Sequence, residues 1–276
     1  MSAPLSEGLP TPFLETPWRG PKRVAAQALW GWHRALFRPR AGAAFERAGA
    51  SFEAQAQKVE AGRVISLVPE EVARAAYRAC EAEGLPLGGL ADQVRAARRF
   101  GAQVRFADAA ELRAFSDLWV GAHARLLAAM AGAKGRWQRP WIEDLAFGFF
   151  LTGRLAALRD DLARDWFFFP LSDLDQADAR LEAFREGGRD ARTRRALWKQ
   201  VIRARDAFAQ GRPLIEELEP RYARSLKRWW HGALEVLNEI ERRDYDLWSR
   251  PLGLSFRQRW QAKLQAHLGR SVFKRG

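Results

Sequence analysis

A single cysteine, Cys80, among 276 residues leaves nothing from which to build a disulfide framework or a zinc knuckle. Uninterrupted apolar runs are also missing. None approaches the ~18–20 residues needed to cross a bilayer. The N-terminus, MSAPLSEGLPTPFLETPWRG, lacks a charged start followed by an apolar stretch. The expectation is therefore a cytoplasmic protein with no secretory signal. No G-x-S-x-G, Walker or G-x-G-x-x-G pattern occurs, so hydrolase elbows and nucleotide loops have no foothold. Lysine is scarce as well: seven of the 46 cations are Lys and the other 39 are Arg. Against 33 acidic residues they give a net charge of +13.

What is present is globular. Hydrophobic residues make up 47% and charged residues 29%, which excludes wholesale disorder. The arginine excess points to anionic partners, because guanidinium pairs bidentately with phosphate and carboxylate. Nucleic acid, diphosphates and anionic lipid all fit that chemistry. Nucleic acid is the least favoured of them, since no recognisable binding module accompanies the charge.

Helical periodicity dominates from about residue 23. Leu112, Phe115, Leu118, Trp119, Ala122, Leu126 and Ala129 recur at three- and four-residue steps. Leu226, Trp229, Trp230, Ala233, Leu234, Leu237 and Ile240 repeat that spacing. Punctuation falls between such stretches, as at Gly84–Pro86, Gly132–Gly135 and Gly211–Pro213. The only β-like run is Val64–Val68. The expected fold is all-α, with about nine or ten helices in one domain over 23–276, preceded by a Pro-rich extended arm over 1–22.

The richest segment for chemistry is Leu158–Pro170, LRDDLARDWFFFP. Asp161 and Asp165 are four residues apart, so a continuous helix would project both carboxylates from one face. A Mg2+ ion would relieve the repulsion between them. Arg159 and Arg164 would relieve it equally well on a solvated surface. The aromatics that follow, Trp166 to Phe169, and Phe147, Phe149 and Phe150 upstream would line a cavity or fill a core.

Taken in order, these segments resemble the squalene/phytoene synthase family over about residues 69–256. Gly148–Pro170 looks like its second aspartate-rich motif, and Gly211–Leu218 its "G-x-P-L-I-x-x-L" step. Ala233–Glu241 with Asp244–Pro251 is similar to its C-terminal pattern. Gly84–Pro86 and Phe106–Leu112 match its upstream turn and helix start. The resemblance implies an isoprenoid-synthase-like helical bundle around a central cavity. It implies prenyl diphosphate (farnesyl or geranylgeranyl type) as ligand and Mg2+ as cofactor for head-to-head joining. Carried over, Asp161 and Asp165 would be metal ligands, with Arg154, Arg159 and Asp160 on the substrate side.

The sequence departs from the family where its first aspartate-rich motif should stand. Upstream of residue 69 there is no aspartate, only Glu7, Glu15, Glu46, Glu53 and Glu60. Glu53 and Glu60, seven apart, would share a helical face. Residues 167–170, FFFP, shorten the family's "G-R-x-Y-L-P" and drop its arginine. The expectation is thus a family relative with impaired or lost prenyltransferase activity, or a non-catalytic binding or assembly factor at a membrane.

Three smaller features complete the picture. His33, His123, His231 and His267 show no i,i+4 pairing with one another, so a helical metal site is not expected. His231 reads as a packing residue. The terminal stretch 254–273 sets Phe256, Trp260, Leu264 and Leu268 on one stripe among Arg and Lys. That pattern suits either an anionic membrane surface, held peripherally, or packing on the domain.

Overall fold

The computed structural model describes residues 17–37, 51–101, 103–249 and 252. The terminal stretch 254–273 and most of the N-terminal arm lie outside them.

Helix α1 (Pro21–Leu36) opens on a proline, whose fixed φ and missing N–H suit a first turn. It buries Leu29, Trp32 and Leu36 against α3 (Glu70–Glu83), while α2 (Phe52–Glu60) packs on α4 (Gly88–Ala97). Gly84 ends α3 at φ 60, a left-handed conformation that glycine adopts without strain, and Leu85 N–H reaches back to the Cys80 carbonyl at 2.8 Å. Strand β1 (Val104–Phe106) follows, then α5 (Ala109–Ser116), whose start is capped by the Asp108 carboxylate accepting from Glu111 N–H. A π-helical turn, Asp117–Gly121, joins α5 to α6 (Ala122–Met130).

The long α7 (Arg139–Ala156) runs through the core and packs chiefly on α11 (Ala191–Gly211). Two glycines permit the close approach. A Cβ at Gly148 would lie 2.8 Å from the Phe208 ring, and one at Gly211 would lie 2.6 Å from Leu145 Cγ. Between these helices come α8 (Leu158–Ala163), β2 (Trp166–Pro170), α9 (Leu171–Ala177) and α10 (Leu181–Arg185). The short α12 (Pro213–Glu217) and the amphipathic α13 (Pro220–Arg242) complete the described helices. As its periodicity predicts, α13 buries Leu226, Trp230, Ala233, Leu237 and Ile240.

The all-α expectation holds. The β component differs in position: Val64–Val68 forms no strand, whereas β1 and β2 pair in parallel, Val104 with Trp166 and Phe106 with Pro170. Every residue of β2 is buried, so WFFFP is packed strand rather than cavity wall. Among the described residues no helix is long and apolar enough to cross a membrane.

Candidate functional site

Helix α7 does not continue into the acidic segment. It stops at Ala156, Ala157 takes φ −99, and α8 starts afresh at Leu158. That break folds Asp161 back against Arg154. The guanidinium Nη1 donates to both carboxylate oxygens, at 2.7 and 2.9 Å. Both side chains are essentially sealed, 1% and 2% exposed. Burial pushes the Asp161 carboxyl up to about 6 even though Arg154 opposes the shift, and burial lowers Arg154 despite the Asp161 charge. Both directions express the desolvation cost of an internal ion pair.

Rings enclose the cation. The Arg154 guanidinium carbon lies 5.2 Å from the Phe37 centroid and 5.1 Å from that of Phe168. Phe37, just past the end of α1, also meets Trp166 edge-on at 5.3 Å and Phe100 at 5.0 Å. The surface facing the end of α7 is therefore aromatic.

Asp165 points elsewhere. Helix α8 ends before it, and Asp165 sits at φ 58, turned away from the helical face that a continuous helix would have given it. The expectation of two co-facing carboxylates fails for that reason. Its carboxylate pairs with Arg105 and Arg185 and accepts from Gln103 Nε2 at 3.1 Å. Desolvation alone would raise the pKa of the carboxyl, but the hydrogen bonds from Arg105 and Gln103 prevail and hold it below the usual range. Arg159 and Asp160 are exposed on α8, with Arg159 Nη1 donating to the Trp248 carbonyl at 3.2 Å. So Arg154 and Asp161 come together, while Asp160, Arg159 and Asp165 lie outside their enclosure.

Glu53 and Glu60 do share a face of α2, as their spacing predicts. That face holds Arg95, whose Nε and Nη2 donate to them at 3.2 and 2.9 Å. Mg2+ requires oxygen ligands with free lone pairs in octahedral array. Asp161 has both oxygens on Arg154, and Asp165 faces two other cations. The residues present do not fit the ion. Among the described residues no group of three or more His, Cys, Asp or Glu side chains could hold a metal.

A second internal feature escaped the sequence. His33 stacks between Trp119, at 4.0 Å, and His123, at 4.4 Å, while its Nδ1 lies 2.7 Å from Gln93 Oε1. Burial lowers His33 to about 3 against the hydrogen bond to Gln93, and burial together with the neighbouring His33 holds His123 well below the usual imidazole range. Neither ring nitrogen of His123 has a partner, nor do Trp119 Nε1 and Ser116 Oγ, all borne by the segment that contains the π-helical turn. The pairing of His33 with His123 spans ninety residues, so local spacing carries no signal of it. His231 is buried as expected.

On the surface, a cleft of about 340 Å³ runs along α11 between Phe147, Ile202 and the half-exposed Trp198. Its cations are already engaged: Lys199 and Arg203 share Asp173, and Arg113 lies between Asp117 and Asp144.

The squalene/phytoene synthase family model matches residues 20–266. No curated protein matches the chain in sequence. Among solved structures, squalene synthase HpnC from Alicyclobacillus acidocaldarius aligns at 22% identity with a TM-score of 0.69, covering 80% of this chain and 84% of that one. A dehydrosqualene synthase in complex with ligand gives 13% identity and a TM-score of 0.74, over 96% and 92%. YisP from Bacillus subtilis gives 15% and 0.62, over 87% and 89%. At these identities the likeness establishes the shared fold.

Proposed function

Because the chain belongs to the squalene/phytoene synthase family, we propose that it is a non-catalytic member, which keeps the isoprenoid-synthase fold as a binding or assembly scaffold. The observation that carries this reading is the sealed Arg154–Asp161 pair, in which one guanidinium nitrogen donates to both carboxylate oxygens. Ionising an allylic diphosphate needs cations free to take up the leaving pyrophosphate, beside an apolar chamber that admits the chain. Here the internal cation is already neutralised by Asp161, and Phe37 and Phe168 stack on its faces. The second carboxylate of the motif is spent in a surface network with Arg105 and Arg185. A prenyl diphosphate would have to displace one buried charge from another before any metal could bridge to it, and that costs several kcal/mol.

The test is direct. The full-length protein is incubated with Mg2+ and farnesyl or geranylgeranyl diphosphate, and pyrophosphate release is followed beside an active squalene synthase. The expected result is no release above buffer and no shift in melting temperature with Mg2+, diphosphate or both. Turnover that disappears in Asp161→Ala would overturn the proposal.

A further inference from the structure

One end of the bundle gathers unpaired cations at a distance from the Arg154–Asp161 pair. Three contacts define it. The Trp18 and Tyr222 rings meet at 4.9 Å, so the N-termini of α1 and α13 adjoin. Lys22 Nζ donates to the Met130 carbonyl at 2.7 Å, which brings the loop after α6 beside α1. Gly211 lies against the Trp141 carbonyl and Leu145, so the start of α7 sits next to α12 and the entry to α13. The ion pair is fifteen residues along α7 from its start, about 22 Å away at ~1.5 Å per residue.

This end exposes Arg19, Arg23, Lys134, Arg136 and Arg224, none with an ion-pair partner among the described residues. Two of the four acids nearby are engaged, Glu219 with Arg221 at 3.4 Å and Glu216 with Arg212 at 3.6 Å, and Glu217 and Glu83 offset only part of the five cations. Helices α1, α7 and α13 all begin here, each with a proline in its first turn and no acidic residue there, so their positive dipole ends add to the field. Among these cations stand the two most exposed large apolar side chains described, Trp137 at 64% and Val24 at 67%.

We infer that this end of the bundle is a docking face for an anionic phospholipid surface. The charge complementarity is local as well as global. Each cation near an anionic leaflet contributes a small electrostatic increment, and a tryptophan beside them suits the headgroup boundary. Among the described residues the face carries no row of exposed aromatics on which bases could stack, so nucleic acid fits it less well. The inference does not depend on whether the interior turns over a substrate, and its test reads no activity.

The full-length protein is mixed with vesicles of phosphatidylcholine alone or with phosphatidylglycerol, and bound protein is measured by flotation. Binding should require phosphatidylglycerol and be released by salt. R23E/R136E/R224E should weaken partition by at least ~100-fold. R98E/R180E/R195E, the same change in net charge placed on other surfaces, should bind within a few-fold of wild type. Quenching by brominated lipid should fall in Trp137→Phe. Equal loss in both triple variants would reduce the effect to net charge and overturn the inference. So would equal binding to both vesicle types, preferred retention on RNA, or an end-face triple that binds normally while R257E/R259E does not.

Discussion

Acidification should destabilise this protein well above the pH at which carboxylates normally titrate. The cause is the His33–His123 stack. Both imidazoles are sealed and held neutral in the folded state through burial, His33 down to about 3 and His123 well below the usual imidazole range. In the unfolded chain each takes up a proton near pH 6.5. Below that pH the unfolded state binds more protons, so the stability these groups confer above pH 6.5 is lost as pH falls. Asp161 acts in the opposite sense. Its folded carboxyl titrates near 6, above the unfolded value of 3.8, so the folded state gains a proton first and is favoured as pH drops through 6. Around pH 5 the unfolded chain holds two extra protons on histidine and the folded chain about one on Asp161. The difference is roughly one proton, or ~1.4 kcal/mol lost per pH unit between 6 and 5. His231, lowered to about 4 by burial, adds to the loss. Urea unfolding at pH 7, 6 and 5 and constant ionic strength measures it. His123→Phe keeps a ring on His33 and removes one titrating site, so its slope should be shallower by ~1.4 kcal/mol per pH unit. Wild-type stability that is flat from pH 7 to 5, or an unchanged slope in His123→Phe, would refute the reasoning.

Two further outcomes concern packing. Arg154→Met strands the buried Asp161 and should cost ~3–5 kcal/mol, whereas Arg154→Met combined with Asp161→Leu should recover most of it; denaturant midpoints of the three chains decide, and a double variant no better than the single would count against an internal ion pair. Gly211→Ala places a methyl 2.6 Å from Leu145 Cγ and 2.7 Å from the Trp141 carbonyl. It should cost ~1–3 kcal/mol in thermal or urea unfolding, and a neutral result would mean that α7 and α11 are less tightly apposed.

Much of the architecture is legible in local pattern. The three- and four-residue steps of Leu226 to Ile240 foretell α13 and its buried face, and Gly84 marks the end of α3. The features that decide the candidate site depend instead on contacts that spacing does not encode. Asp161 and Asp165 share a helical face only if the helix runs through both, and it ends at Ala163. Arg154, which the family resemblance sets on the substrate side, meets Asp161 because the chain breaks at Ala157. The strand character of WFFFP depends on Val104–Phe106, some sixty residues upstream. The aromatic wall around Arg154 draws on α1 as well as β2, and nothing local links Phe37 to Phe168.

The parallel pairing of β1 with β2 bears on the order in which the protein assembles. Parallel strands cannot be joined by a tight turn, so everything from Ala107 to Asp165, α5 through α8, must complete a crossover before Trp166 reaches Val104. Closing a loop of that length costs on the order of 3–4 kcal/mol in chain entropy. In a chain otherwise rich in local helical contacts, this is a slow, non-local step. The cation of Arg154 can be sealed only once Phe168 has arrived over it. Five residues of strand therefore set when that charge leaves water, as well as where it comes to rest.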